Sequence, residues 1–227
     1  MIMQLDEDLW IIDHDFSMLG IPIGTRTTLL RLGDGGLFMH SPGPLTPELV
    51  DEINALGPLR CIVAPNEFHH LYVSENAEAW PEARVFLAKE LPRKRSDLDY
   101  EEELADRAPA LWQADLEQVW IQGAPSVNEV VFFHRRSRSL IVTDLAFNFS
   151  GRGPLLLRLF LWINAASGQL AFGRLIKIMF RDLELARESI ERIFSWDFER
   201  VILCHGEVVE TGGREKLRPC FDWLLKR

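Results

Sequence analysis

RCIVAPNEFHH, Arg60–His70, divides at its proline into two halves of opposite character. Arg60–Ala64 is apolar but for its first residue, as a short strand buried on both faces must be. Beyond Pro65 the chain turns polar, through Asn66 and Glu67, and ends in two adjacent histidines, His69 and His70. Neighbouring residues of a strand point to opposite faces, so both imidazoles reach one point only from a loop or tight turn. The stretch predicts a buried strand whose C-terminal tip carries side chains capable of chemistry, which is where α/β sheets gather their ligand-binding groups.

Two further stretches repeat the arrangement. ERVILCH (Glu199–His205) reads as a buried strand ending in His205 and followed by Gly206, and SLIVTD (Ser139–Asp144) as one ending in Asp144. Taken singly, a histidine at a strand end is as readily a hydrogen-bonded core or surface group, and an aspartate there a turn or helix cap. Three histidines and an aspartate, all at the tips of apolar strands, form a pattern that chance supplies far less easily. The other histidines carry less. His14, between Asp13 and Asp15, reads as an exposed acidic loop residue; His134, before Arg135 and Arg136, as a hairpin-turn residue; His40, before Ser41-Pro42-Gly43, as a loop-facing group at the mouth of a site. Glu129 lies within a strand, where a carboxylate either supports the site or faces solvent.

Around these tips the order of elements is β-rich, then mixed, then helical. LWIID (Leu9–Asp13), RTTLLRL (Arg26–Leu32) and GLFMH (Gly36–His40) are predicted strands, the last two joined by the hairpin signal Gly33-Asp34-Gly35. A helix begins at Thr46-Pro47 and stops at Gly57-Pro58. RVFLA (Arg84–Ala88), EQVWIQ (Glu117–Gln122) and VNEVVFFH (Val127–His134) add strands, and Leu91–Ala110 reads as an exposed loop with a short helix. From Pro154 come LLLRLFLW and LAFGRLIKIMF, both read as helical with breaks at Gly168 and Gly173, then an amphipathic helix capped by Asp182 and a last helix carrying Leu217, Phe221, Leu224 and Leu225. Sheets covered by helices on their outer faces are the natural result.

Composition bounds the function. The chain has 227 residues, 47% apolar and 26% charged, with a formal charge of −9, so it lacks the electrostatic footprint of a nucleic-acid binder. Its three cysteines (Cys61, Cys204, Cys220) fit neither a disulfide framework nor a CxxC knuckle and read as small buried groups in a reducing compartment. The acidic start MIMQLDEDLW lacks the basic opening of a secretory signal, and a cytoplasmic protein is expected. Gly151–Phe180 is strongly apolar but interrupted by Arg158, Asn164, Arg174 and Lys177, so it does not read as a transmembrane span. It suits a lid over the site, a homodimer interface formed by the apolar helices of 154–180, or a membrane-surface patch.

Over nearly its whole length the sequence resembles the metallo-β-lactamase-like hydrolase superfamily, and within it an uncharacterised bacterial branch. VTDLAF matches the strand end that carries a metal-bridging aspartate, VILCHG matches the terminal His-Gly, and PNEFHH stands where the superfamily has HxHxDH. The departures are specific: Pro65 and Glu67 replace the first two histidines of that motif, His69 its aspartate, and Gly123-Ala124-Pro125 occupies the place of a later histidine. The resemblance implies one α/β domain over 1–227, a four-layer αβ/βα sandwich with a helical insert at 151–181 before the last strand. It also implies that one of two metal sites is lost and the other kept, as His69, His70, Asp144 and His205. One divalent metal is expected there, zinc foremost, with iron or manganese as alternatives. Asp144 and His70 are the catalytic candidates, and Asn66, Glu67, Glu129 and His40 the candidates for support around them.

The expected activity is hydrolysis of a small ester, amide, thioester or phosphoester with one metal-activated water. Four protein ligands would close a tetrahedral zinc, the mark of a structural site. A catalytically degenerate binding protein of the same fold is therefore the alternative, and a mononuclear iron redox protein a third reading.

Overall fold

The computed structural model describes residues 1–226. In chain order the first half contains β1 (Ile2–Asp6), β2 (Leu9–His14), β3 (Ser17–Met18), β4 (Ile21–Pro22), β5 (Thr25–Arg31), β6 (Leu37–His40), α1 (Pro47–Leu56), β7 (Leu59–Ala64), α2 (Val73–Ala79), β8 (Arg84–Leu87), α3 (Leu91–Lys94) and β9 (Glu102–Glu103). The second half contains β10 (Leu116–Trp120), β11 (Val130–His134), β12 (Ser139–Val142), β13 (Phe147–Asn148), α4 (Leu155–Ile163), β14 (Leu170–Ala171), α5 (Arg174–Lys177), α6 (Leu183–Ser195), β15 (Arg200–Leu203), α7 (Gly213–Leu217) and α8 (Asp222–Leu225).

Seven strands form one sheet in the order β1-β2-β5-β6-β7-β8-β9, and four form another in the order β10-β11-β12-β15. The period of two along each strand divides their residues between separate cores. Leu9, Ile11, Phe38, Cys61 and Val63 of the first sheet meet Phe132, Ile141 and Ile202 of the second, with Trp112 at the centre of the contact. The alternate residues Trp10, Ile12, Met39, Ile62 and Ala64 pack outward under Leu49 and Ile53 of α1. On the far side, Val131, Leu140, Val142 and Val201 pack under Leu161 of α4 and Ile190 and Ile193 of α6. Two sheets face to face with helices outside give the expected four layers. Strands packed on both faces also explain why RCIVA and VILC are apolar without alternation.

The local helix signals hold where they were read. Thr46 Oγ1 accepts from Leu49 N at 3.2 Å, with Pro47 in the first turn and Gly57 at the end of α1. Asp182 accepts from Glu184 N and Leu185 N, both at 3.1 Å, to start α6. Elsewhere the expectations need correction. LAFGRLIKIMF is not a second long helix: Leu170 and Ala171 pair with β13 as β14, and helix is confined to Arg174–Lys177. The break falls at Gly173, where a Cβ would lie 2.7 Å from the Phe147 ring. The C-terminal helix is broken at Pro219, which cannot donate a helical hydrogen bond, into α7, a 3-10 turn (Arg218–Phe221) and α8. β1 and the β3–β4 hairpin were not read from the sequence. In Leu91–Ala110 the side chains of Leu91, Leu98 and Leu104 are buried, so the segment packs rather than standing free. His14 is no loop residue: it ends β2, half-buried, with Nε2 3.0 Å from Thr27 Oγ1.

Candidate metal centre

β6, β7 and β8 run parallel in one sheet, β12 and β15 run parallel in the other, and the loops after β7, β12 and β15 converge at one edge of the sandwich. The loop after β7 is shaped by Asn66. Its carbonyl accepts from Phe68 N at 2.9 Å and His69 N at 2.8 Å, and its amide donates to Asp144 Oδ2 at 2.6 Å and Thr143 Oγ1 at 2.9 Å. One buried side chain thus folds the turn that presents His69 and fastens it to the loop carrying Asp144. From the other side Glu129 accepts from Thr143 N at 2.6 Å and Asp144 N at 3.0 Å. Burial and the neighbouring charge of Asp144 push the Glu129 carboxyl up to about 8, against the pull of those amides.

Asp144 lies between two imidazoles, with Oδ2 3.4 Å from His69 Nε2 and Oδ1 3.6 Å from His205 Nε2. Burial presses its carboxyl upward, but the two histidines outweigh that and hold it far below the usual carboxylate range. His205 Nδ1 donates to the Gly24 carbonyl at 2.8 Å, which leaves Nε2 as the lone-pair nitrogen of the neutral ring. His69 Nδ1 lies 2.8 Å from Ser41 Oγ, so its Nε2 is likewise the one turned to Asp144. Second contacts of this kind hold metal-binding histidines in orientation. Gly206 is required beside His205: its φ is +91°, and a Cβ there would come within 2.2 Å of the Asn148 carbonyl oxygen.

One ligand atom each from His69, Asp144 and His205 lies within 4.8 Å of the other two, the one such group among the described residues. Two donors bound to a single ion at about 2.0–2.1 Å stand roughly 3.3 Å apart in tetrahedral geometry. The observed 3.4 and 3.6 Å run to different oxygens of Asp144, so a single ion would draw the trio inward from its spacing of up to 4.8 Å. The chemistry fits, two imidazoles and one carboxylate being a set that zinc and iron(II) both accept.

His70 stands outside that group. Its Nδ1 accepts from Arg95 Nη1 at 3.0 Å, and because arginine only donates, the ring proton of neutral His70 sits on Nε2. Burial first, then the charges of Lys94 and Arg95, push this imidazole down to about 4. A ring with one nitrogen accepting and the other protonated has no lone pair left for a metal. Of the four expected ligands the structure brings three together, and His70 lies outside that trio in the cavity wall. Glu67 is also apart, its Oε1 3.4 Å from Asn128 Nδ2 and its carbonyl accepting from Lys94 Nζ. His40, expected at the mouth, is wholly buried with its ring against Phe132, and neither ring nitrogen has a partner among the described residues. At Gly123–Pro125 the Gly123 carbonyl takes the amides of Arg181 and Asp182, so the start of α6 closes that corner.

A cavity of about 410 Å³ opens over the trio. Its walls are apolar: Ile23, Phe147 and Phe149 from the strands and their loops, Phe160 from α4, Ile176 and Met179 from α5 and the turn after it. Residue patterns had marked His69, Asp144 and His205 but missed Ser41, Gly24 and Arg95. Asn66 had a local signal, an Asx residue directly after a strand, whereas Ser41 and Arg95 act through tertiary contacts with no signature in the chain.

Residues 6–166 match the family described as Domain of unknown function (DUF4336). The chain belongs to that family. The matched span of this DUF4336 chain holds His69 and Asp144 and ends before His205. No curated protein matches the sequence. Solved structures do match in shape. A metallo-β-lactamase from Pontibacter korlensis superposes over 100% of this chain and 99% of its own, with TM-score 0.67 and 13% identity. The metallo-β-lactamase FIM-1 from Pseudomonas aeruginosa, in its mono-zinc form, superposes over 100% and 94%, with TM-score 0.65 and 12% identity. The Flv1 flavodiiron core of Synechocystis matches 100% of this chain and 60% of its own, at TM-score 0.66 and 10% identity. The DUF4336 chain has the metallo-β-lactamase fold.

Proposed function

We propose that the chain is a metal-dependent hydrolase working with one divalent ion held by His69, Asp144 and His205, zinc foremost, with iron or manganese as alternatives. The observation that carries the reading is a trio of ligand atoms within 4.8 Å of one another in the wall of an apolar cavity. Three protein ligands, unlike four, leave a position for water or substrate, as in catalytic zinc sites. The likeness in fold to metallo-β-lactamases, one of them in a mono-zinc form, supports it.

When bound, the ion would polarise a carbonyl and lower the pKa of water. The chain's own groups do the rest. Gly24 and Ser41 fix the two imidazoles, while Asn66 and Glu129 hold Asp144 from opposite sides. His70, kept neutral by burial and by Arg95, offers its Nε2–H to an oxygen that gains charge. The apolar walls exclude water and take the uncharged part of the substrate, which favours a carboxylic ester, thioester or amide over a phosphoester. The buried free thiols of Cys61 and Cys204, pushed up by burial, suit a reducing cytoplasm.

The test is turnover of a series of p-nitrophenyl esters and thioesters by metal-replete protein. Asp144→Asn and His205→Ala are expected to abolish it, and His70→Phe to lower kcat roughly a hundredfold with the metal retained. Metal-replete protein that hydrolyses none of them contradicts the reading. A second reading, a non-catalytic metal-binding module, draws on Pro65 and the closed Gly123–Pro125 corner. It expects metal removal and His205→Ala to lower Tm equally, with no turnover at all.

A further inference from the structure

Eight of the nine residues of helix α4 are apolar, Arg158 being the exception. Leu157 and Leu161 are buried and Phe160 lines the cavity, while Leu155 is 78% and Trp162 73% exposed. Large apolar side chains left exposed beside buried ones on one helix mark a surface made for contact. Exposed apolar side chains also line the cavity, Phe68 and Leu71 from the loop after β7, Met18 from β3 and Leu175 from α5. Beside lining residues in the chain stand Leu19, next to Met18 at the tip of the β3–β4 hairpin, and Ile178, next to Met179 after α5. Leu19 and Ile178 are 94% and 76% exposed, and the hairpin packs beside α4. Scattered exposed leucines need no explanation, but exposed apolar side chains gathered at one cavity do.

Charge selects what this patch fits. Between residues 151 and 181 stand Arg152, Arg158, Arg174, Lys177 and Arg181 and no aspartate or glutamate, in a chain whose net charge is −9. All four arginines are exposed. A second copy docked through the same face would set this positive segment against itself. An anionic lipid leaflet instead offers negative headgroups above an apolar interior. At nine residues α4 is about 14 Å long, too short for a hydrocarbon layer of about 30 Å. No helix among the described residues is long and apolar enough to cross a membrane, so such a contact lies in the interface.

We propose that this face docks on an anionic lipid surface, setting the cavity mouth against the leaflet, and that the substrate is an ester or thioester with an apolar chain entering from the lipid. The choice of substrate rests on the hydrolase reading; the docking does not.

Flotation of the whole protein with vesicles of phosphatidylglycerol and phosphatidylcholine, and with phosphatidylcholine alone, tests the docking. Binding is expected to the anionic vesicles only, and to weaken as salt rises. The double substitution Trp162→Glu, Ile178→Glu is expected to weaken it at least about tenfold at unchanged Tm. Reversing Arg152, Arg158 and Arg174 to glutamate is expected to weaken it by about fivefold or more per site. Absence of flotation, or equal binding to both vesicles, overturns the proposal. So does a dimer in sedimentation that Trp162→Glu dissolves, which would give the face to a second copy. For the substrate, Trp162→Glu is expected to hydrolyse a soluble short-chain ester as the wild type does, but a long-chain ester in anionic vesicles about tenfold more slowly. Vesicle binding without hydrolysis of any ester would remove the hydrolase reading and leave the docking; hydrolysis without vesicle binding would do the reverse.

Discussion

Asn66 donates to Asp144 and Thr143 while its own carbonyl receives the amides of Phe68 and His69, so a single side chain couples two loops that share no sequence neighbourhood. Asn66→Ala strands those buried partners and is expected to cost about 2–3 kcal/mol in urea denaturation. Metal affinity, measured by competition with a chelating dye, is expected to fall about 10- to 100-fold. His40 makes the opposite case. Its imidazole is fully buried without a hydrogen-bond partner among the described residues, and burial, with His69 nearby, pushes it down to about 3. His40→Leu is expected to stabilise the metal-free protein by about 1–2 kcal/mol at pH 7. A lowered folded pKa means that the unfolded chain binds the proton first. The wild type therefore loses stability as pH falls below about 6.5, and the advantage of His40→Leu grows by about 1.4 kcal/mol per unit down towards about 3. A variant less stable than wild type at pH 7 would show that the ring is paired. His69, Asp144 and His205 were legible because each follows an apolar strand. That His70 stands outside the trio was not, because its partner Arg95 is 25 residues away.

At the scale of elements, legibility followed the range of the determining contacts. Helix α1 is set by its own Thr46, Pro47 and Gly57, and α6 by Asp182, so both could be read from the chain. Leu170–Ala171 pairs with Phe147–Asn148, a partner no local pattern reveals, and the apolar run there suits helix and strand alike. β1 escaped notice because its residues are mostly exposed and carry little alternation. The crossing of β13 over the end of β15 makes Gly206 a structural requirement of the site. Gly206→Ala places a methyl where the Asn148 carbonyl lies and is expected to cost more than about 1 kcal/mol in thermal unfolding, with loss of metal. Replacement without effect on either would mean that β13 does not press on the His205 loop.

Across the whole molecule, two sheets packed against each other on their inner faces and under helices on their outer faces account for the continuous apolar strands, and their shared edge is where strand tips from both halves of the chain meet. That helices cover the sheets was legible because burial on two faces leaves its mark in composition, while the four-layer order came with the resemblance to the metallo-β-lactamase superfamily. The insert was legible as apolar but not in shape, since the pairing of β14 with β13 and the lengths of α4 and α5 depend on tertiary contacts. One edge, three ligands and one ion is the central claim. Elemental analysis with native mass spectrometry tests it most directly, on wild type, Asp144→Asn, His205→Ala and His70→Gln. One metal per chain is expected in wild type and in His70→Gln, and none in the other two. Two metals per wild-type chain, or loss of the metal in His70→Gln, would contradict it.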